Sequence, residues 1–316
     1  MGNPKVFKTL DEQVNILEEK GLVVKDEEYA KEVLLRENYF FLNGYRHVFM
    51  KSSDRKVFIP GTSFEELYSL FLFDRSLRTI LFKNVTIIEN NIKSIISHQL
   101  SKKYGFKEKD YLNPHNFNTT GDRRKQVSDL IGKMKRQIRS NAAQHAATMH
   151  YVNNYGYIPL WVLVKVLSFG IVAELFSILK KEDQYDIIDF YKIDIEDFVV
   201  YLSILANYRN ICAHEDIVFE NKTQKYINDT IFHRQLQIPI TDNEYVYGKN
   251  DLFALIIIIK SMLKDNEVYD MVLEIDKAIN NLELNLRSIP INKVLDRMGF
   301  PENWVEIKNI KKEEMF

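Results

Sequence analysis

The chain has 316 residues, of which 46% are hydrophobic and 28% charged, and this composition is typical of a soluble globular protein with a sizeable core. The formal net charge is −1, so no overall positive field directs the protein to nucleic acid, and any site for a polyanion has to be a local patch. The single cysteine, Cys212, excludes an internal disulfide framework and a thiolate metal cluster within one chain, which favours a reducing compartment and predicts a cytoplasmic protein.

Membrane insertion is not predicted. The N-terminus, Met1 to Lys5, lacks the apolar core of a signal peptide, and the longest apolar run, Leu252 to Ile259, is far shorter than the roughly 18 residues of a membrane span. Only 11 Gly and 7 Pro are present, which indicates long helices with few tight turns. We therefore expect an all-α protein without an internal repeat.

The first 60 residues predict two short helices followed by an aromatic segment. The first helix spans Leu10 to Lys20 and is closed by a glycine, and the second begins at Asp26. The segment Asn38 to His47 is dense in aromatic residues and is interrupted by Asn43-Gly44, which favours a packed elbow between two helices. A phosphate contact by Arg46-His47 is the alternative.

A long helix is predicted from a capping box at Ser63 and Glu66 to about Gly105, because apolar residues recur at steps of three and four. Most of its polar residues are expected on a solvated face or in intrahelical pairs: Asp74, Arg75, Arg78, Glu89, Asn90 and Asn91. Glu89 stands out because its neighbours are apolar.

After a turn-rich connection, the segment Asp122 to Arg139 has seven cations and two carboxylates, a local balance of +5. Such a run is usually an exposed helix face, but in a nearly neutral protein it is also the best candidate for contact with an RNA backbone. The candidate RNA-binding residues are Arg123, Arg124, Lys125, Lys133, Lys135, Arg136 and Arg139. His145 and His150 follow at a spacing that is poor for shared metal ligation, so we expect no metal.

The apolar stretch from Trp161 to Leu175 predicts one central helix, with Ser168-Phe169-Gly170 inside it at a close crossing with a neighbour. A further helix begins near Asp194. Beyond His214 we expect an irregular or partly extended segment and then two helices, Asp251 to Leu263 and Glu267 to Leu286, before a last short one. The predicted organisation is an N-terminal segment (1–60) packed on a helical core (61–220), with a helical C-terminal extension (221–316).

The helix from Asp194 ends in Asn207 to His214, which contains a cation, a carboxamide and an imidazole. Asn210 and His214 are four residues apart and share a helix face, whereas Arg209 lies about 140° from His214 and converges with it only loosely. About one Arg-x(4–6)-His match is expected by chance in a chain of this composition, and two occur, the other being Arg139 to His145. The spacing alone therefore favours an ordinary helix end over a site.

Enzyme motifs for nucleotide hydrolysis, redox chemistry, and zinc or serine hydrolysis do not occur in the sequence. Acid–base chemistry without a cofactor remains open. RNA supplies its own nucleophile, the 2′-hydroxyl, so its cleavage needs only a proton-transfer group such as His and a phosphate-binding group such as Arg. Arg209, Asn210 and His214 form that minimal set.

The pattern Arg-Asn-x-x-x-His at the end of an apolar helix resembles the catalytic signature of the HEPN superfamily of RNases. Other stretches resemble the Abi family of bacterial abortive-infection phage-resistance proteins, of the AbiD/AbiF type, and occur in the same order as in that family. The five matching stretches are Glu37 to Tyr45, Phe73 to Arg78, Pro159-Leu160-Trp161 with Leu167 to Gly170, Tyr208 to His214, and Met298 to Trp304.

This resemblance implies an all-helical fold with a HEPN-like core and cleavage of RNA, without a metal or other cofactor, to a 2′,3′-cyclic phosphate and a 5′-hydroxyl. It implies that His214 transfers protons and that Arg209 binds the scissile phosphate. Asn210 is implied to orient one of these two side chains. HEPN sites are typically composite, so a chain with one motif is expected to form a homodimer through the motif helices. Some relatives are toxins that a structured small RNA inhibits.

Glu215-Asp216 depart from the family pattern, in which a histidine or glycine and then a basic residue often follow. Two acids beside His214 are expected to favour its protonated form and to repel phosphate. Two alternatives to an RNase toxin stay open: a non-catalytic RNA-binding or sensor module that holds a structured small RNA, and a purely structural helical interaction protein.

Overall fold

The computed structural model describes residues 6–51 and 56–311. The N-terminal residues Met1 to Lys5, where no signal core was predicted, lie outside this part. Within it, the chain is mostly helical and its sheet is a two-stranded ladder, so the predicted all-α class is confirmed. The predicted division at residues 60 and 220 stays a prediction.

The α-helices are α1 (Leu10–Glu19), α2 (Glu27–Glu37), α3 (Tyr39–Gly44), α4 (Phe64–Tyr104), α5 (Glu108–Tyr111), α6 (Arg123–Asn141), α7 (Ala146–Tyr155), α8 (Leu160–Val166), α9 (Phe169–Ile178), α10 (Lys181–Ile188), α11 (Ile195–Ala213), α12 (Ile231–Gln235), α13 (Leu252–Met262), α14 (Asp265–Glu283) and α15 (Asn292–Met298). The 3₁₀ segments are Tyr45–Phe49, Pro114–Asn116 and Trp304–Asn309, and the antiparallel strands are β1 (Ile240–Thr241) and β2 (Glu244–Tyr245).

Helix α4, 41 residues long, is the scaffold against which α8, α10, α11 and α14 pack. The predicted capping box begins it: Ser63 Oγ accepts from the Glu66 N–H at 3.3 Å, and the Glu66 carboxylate accepts from the Ser63 N–H at 3.0 Å. Glu66 also accepts from the backbone N–H groups of Arg287 and Ser288 at 2.6 Å each. One carboxylate thus caps the scaffold and fixes the chain that follows α14.

The stretch predicted as one helix from Trp161 to Leu175 is two helices, α8 and α9, so the predicted continuity is wrong. Leu167 has extended backbone, with ψ of 135°, and the Ser168 hydroxyl accepts from the Ile171 N–H at 3.4 Å. Serine is a favoured N-cap because its hydroxyl satisfies an otherwise unpaired N–H. The close crossing expected at Gly170 is also wrong, because the space that its Cβ would occupy is open.

The C-terminal part folds back onto the scaffold. Every residue of α13 is buried, and α14 packs along α4. Gly299 ends α15 with φ of +73°, and a Cβ there would lie 2.1 Å from Asp251 Oδ2, so only glycine fits. Within residues 6–51 and 56–311, none of the helices combines the length and apolar character that crossing a membrane requires.

Candidate functional site

The motif occupies the last turn of α11. Arg209 is half-buried and Asn210 is exposed, while the exposed His214 is the C-cap and donates its backbone N–H to the Asn210 carbonyl at 2.9 Å. Glu215 follows with φ of +59°, and the Asp216 N–H returns to the Ile211 carbonyl at 3.1 Å. This is a Schellman ending, in which a left-handed residue reverses the chain and satisfies a helix-end carbonyl.

Arg209 is held by the scaffold. Its Nε lies 3.4 Å from Glu89 Oε2, and its guanidinium lies over the ring of Phe82 at 5.7 Å. The Nε–H is not aligned for a hydrogen bond, so the contact with Glu89 is an ion pair. The same carboxylate accepts from Lys93 Nζ at 2.6 Å, and both members of that pair are buried. The prediction that Glu89 differs from the other polar residues of α4 is therefore explained by its contact with the motif.

The chain that leaves the motif is fixed by Asp74, whose side chain is fully buried. Its Oδ1 accepts from the Phe219 N–H at 2.8 Å, and its Oδ2 accepts from the Val218 N–H at 3.2 Å and from the Tyr45 hydroxyl at 2.8 Å. Arg78 forms an ion pair with Asp74 and donates to the Asp216 carbonyl at 3.4 Å. The expectation of intrahelical pairs is confirmed for Asp74 with Arg78 and for Glu89 with Lys93. Both pairs are buried, and each also meets a partner from another segment.

The aromatic elbow packs against the same segment. Tyr45 stacks on Phe219 at 6.0 Å and meets the ring of Phe71 edge-on at 5.4 Å, as the packed-elbow prediction expects. A Cβ on Gly44 would lie 2.7 Å from the Ile217 side chain, so the glycine allows Ile217 to lie against α3. The two sequence stretches that end at Tyr45 and Arg78 thus converge behind the motif.

A cleft of about 580 Å³ opens beside the end of α11, between α2, α3 and α4. Its lining carries both charge signs, with the cations Arg36, Arg46, Arg75 and Arg78 and the acids Glu37, Glu215 and Asp216. Arg75 makes two hydrogen bonds to Glu37, at 3.1 and 2.5 Å. These bonds are the largest cause of the raised pKa of Arg75, and the charge of Glu215 acts in the same direction. Glu215 is therefore partly balanced by Arg75.

The candidate RNA-binding residues lie on α6, and α9 packs against both α6 and α11, the helix that ends in the motif. Lys133 is engaged, because its Nζ donates to both carboxylate oxygens of Glu174 at 2.9 and 2.6 Å. The other six candidates are exposed: Arg123, Arg124, Lys125, Lys135, Arg136 and Arg139. Most of the predicted basic face thus remains open to solvent.

Other reactive groups do not join the motif. Cys212 is the next-to-last residue of α11 and is buried, and burial raises the pKa of its thiol to about 12. His145 is the N-cap of α7, and the second Arg-x(4–6)-His match therefore bridges two helices. Among the described residues, no group of three or more His, Cys, Asp or Glu side chains is placed to hold a metal ion.

The family model for Abi-like proteins matches residues 32–220, which is more than half of the chain. The chain belongs to the Abi-like family. No curated protein and no solved structure matches it. Four of the five stretches on which the resemblance was predicted fall within the matched range, and the stretch Met298 to Trp304 falls beyond it.

Sequence reasoning did not find the partners that position the site in this Abi-like protein. Asp74, Arg78 and Tyr45 belong to stretches that resemble the family, but nothing in their local pattern connects them to residues 216–219. A buried i,i+4 pair between apolar residues was the available signal for both Asp74–Arg78 and Glu89–Lys93.

Proposed function

We propose that this Abi-like protein is a metal-independent endoribonuclease that acts in abortive-infection defence against phage. The observation that carries the proposal is the setting of Arg209 and His214 at one helix end. Glu89 faces the Nε side of Arg209, so the two terminal nitrogens are left without a hydrogen bond to a described residue. A planar guanidinium fixed in this way is suited to bidentate contact with phosphate.

The reaction follows from the groups present. The 2′-hydroxyl of RNA loses its proton to a base and attacks the adjacent phosphorus, and the bond to the 5′-oxygen breaks as that oxygen gains a proton from an acid. The products are a 2′,3′-cyclic phosphate and a 5′-hydroxyl. His214 is exposed and can take part in either proton transfer near neutral pH, Arg209 stabilises the phosphorane charge, and Asn210 orients one of them.

A base and an acid are both needed, so we propose that two chains face each other and each supplies one His214. The cleft beside the motif supports a self-complementary contact, because Arg46, Glu215 and Asp216 in its lining form no salt bridge with a described residue and can pair across a two-fold axis. Its rim also exposes a patch formed by Leu35 (71% exposed), Phe40 (76%) and Phe41 (56%). A second copy would cover this apolar surface, which is otherwise costly to leave in water.

The test is cleavage of a labelled single-stranded RNA by the full chain in EDTA, with analysis of the product ends. We expect cyclic phosphate ends from the unaltered protein and no products from His214→Ala or Arg209→Ala. A substrate with 2′-deoxy nucleotides should resist cleavage, because it lacks the nucleophile. Glu89→Gln should raise KM more than it lowers kcat, because it frees the guanidinium without removing it.

His98→Ala is the matched control for His214→Ala, since His98 is also exposed on a helix but lies outside the motif. It should cleave RNA at the normal rate. Cleavage or host toxicity that persists in a folded double variant of Arg209 and His214 would overturn the catalytic assignment. A strictly monomeric protein with full activity would overturn the composite site.

A second candidate is a non-catalytic module that binds or senses a structured small RNA. It is favoured by the two acids after His214, which oppose the approach of a scissile phosphate to that histidine. In this case the purified protein carries a discrete stoichiometric RNA and leaves added RNA intact in EDTA. Under either candidate, the exposed cations of α6 are proposed to contact the RNA backbone.

A further inference from the structure

An unbroken series of aromatic rings lies on the surface at the far end of α4. Phe106 contacts Tyr157 and Trp161, with ring centroids 5.6 and 5.9 Å apart. From Tyr157 the series continues to Tyr155 at 6.3 Å and then to Tyr151 at 5.3 Å. These residues and His150, which packs edge-on against Tyr151 and Tyr155, form what we call the aromatic stripe.

Several of these rings are open to solvent. Phe106 is 40% exposed, Trp161 45% and Tyr155 57%. Each ring touches a neighbour at a tilt, so the stripe is held in place without being buried. Such a surface is unusual for side chains that normally stabilise a core.

A basic groove of about 440 Å³ is lined by residues of α5 and α6, beginning at Glu108, two residues after Phe106. The cations along its walls are Lys109 from α5 and Lys135 and Arg139 from α6, and none of the three forms an ion pair with a described residue. The acid in the groove, Glu108, accepts a hydrogen bond from the Ile158 N–H, so its charge is partly satisfied by backbone.

Helix α5 joins the two surfaces. Phe106 and Lys107 directly precede it, and Lys107 Nζ lies 5.1 Å from the ring centroid of Tyr157. The Tyr111 hydroxyl donates to the Ile158 carbonyl at 2.7 Å, which fixes α5 against the segment that carries Tyr157. The groove and the stripe therefore lie next to each other at α5, with cations on one side and rings on the other.

We propose that this surface binds single-stranded RNA, with phosphates in the basic groove and bases stacked on the aromatic stripe. The inference rests on the proposed function and specifies its substrate as unpaired RNA. Aromatic platforms beside a positive groove bind single strands because every unpaired base offers a flat face, whereas the bases of a duplex are already stacked on each other.

The surface is distant from the motif. Along α4, Glu89 and the helix end at Tyr104 are separated by about 22 Å, at 1.5 Å rise per residue. The stripe therefore holds the RNA away from the point of cleavage. Contact at both places selects an unpaired segment long enough to reach from one to the other.

Tryptophan fluorescence gives a direct test, because of the two tryptophans Trp161 is 45% exposed and Trp304 only 3%. A uridine oligonucleotide is titrated into the full-length His214→Ala variant, in which the RNA should stay intact. We expect quenching of Trp161 emission that saturates with the RNA. Trp161→Phe should lose this signal and keep most of the affinity, because phenylalanine also stacks.

Binding of the same RNA is then compared among ring variants by anisotropy. Tyr155→Ala and Trp161→Ala should each raise Kd about fivefold or more, the loss expected for one stacked base. Tyr226→Ala is the matched control, since Tyr226 is 58% exposed and lies outside the stripe, and it should leave Kd unchanged. Replacing Lys109, Lys135 and Arg139 together by alanine should make the dependence of the RNA association constant on salt weaker, with the slope of log K against log salt less negative by about 2.

Unchanged Kd in both ring variants would overturn the inference, as would tighter binding of a duplex than of the single strand. A change in Trp161 emission that follows protein concentration instead of RNA would identify the stripe as a contact between copies and also overturn it. Quenching by RNA in a protein whose unaltered form cleaves nothing would refute the nuclease and support the RNA-binding surface.

Discussion

Replacing Glu215 by glycine is expected to stabilise the protein, because the backbone there is left-handed, with φ of +59°. A side chain in this conformation costs about 1–2 kcal/mol. Glycine avoids that cost but loses about 0.4–1 kcal/mol through the greater freedom of the unfolded chain. The net gain in the free energy of unfolding is about 1 kcal/mol, or a rise in Tm of about 2 °C for a chain of this size.

Urea unfolding of Glu215→Gly, Glu215→Ala and the unaltered protein separates backbone from charge. Alanine removes the carboxylate and keeps the left-handed strain, so Glu215→Ala should have nearly unchanged stability. Both variants should lower the KM for RNA, because both remove a negative charge next to His214. Equal stabilisation by alanine and glycine would refute the backbone argument and assign the effect to the charge.

Three further predictions concern the fold. Asp74→Asn leaves Arg78 buried without a counter-charge and should lower the free energy of unfolding in urea by about 3–5 kcal/mol. Adding Arg78→Met should restore part of this loss. A loss below about 1 kcal/mol would show that the Asp74–Arg78 pair does not fix the chain after the motif. Gly170→Ala and Gly132→Ala should each raise the free energy of unfolding by about 0.5 kcal/mol, because a Cβ at either position meets open space. A lower stability of Gly170→Ala would support a close helix crossing at Gly170 after all. Burial lowers the pKa of His233 from 6.5 to about 4, so between these pH values only the unfolded chain gains the proton. The free energy of unfolding should therefore fall as pH falls, by up to about 3 kcal/mol. His233→Gln should lose this part of the pH dependence, and an unchanged pH profile would contradict the prediction.

Local signals predicted the elements well where one physical cause dominates. The capping box at Ser63 and the three- and four-residue apolar steps predicted the start and length of α4, and both are properties of one helix. The stretch around Ser168 was predicted wrongly for the opposite reason. Apolar periodicity continues across the break, and a hydroxyl cap outweighs it locally.

The candidate site was harder to predict from the sequence than the helices. The sequence located Arg209, Asn210 and His214, and the structure places them at one helix end, but their roles stay a proposal. What holds them could not be predicted, because Glu89 and Asp74 act on residues more than one hundred positions away. The aromatic stripe was missed for a similar reason, since its rings come from three separate segments and each looks ordinary in its own.

The bonds from Asp74 to Val218 and Phe219 span 144 and 145 residues, and the bond from Arg78 to Asp216 spans 138. Such long-range contacts form late in folding, because the chain entropy of closing a large loop has to be overcome first. A growing chain on the ribosome therefore contains His214 before the contacts that hold His214 in place can form. A fragment that ends before Val218 would have the motif without its setting, so the proposed activity at this helix end would arise only after the scaffold and the chain beyond the motif have met.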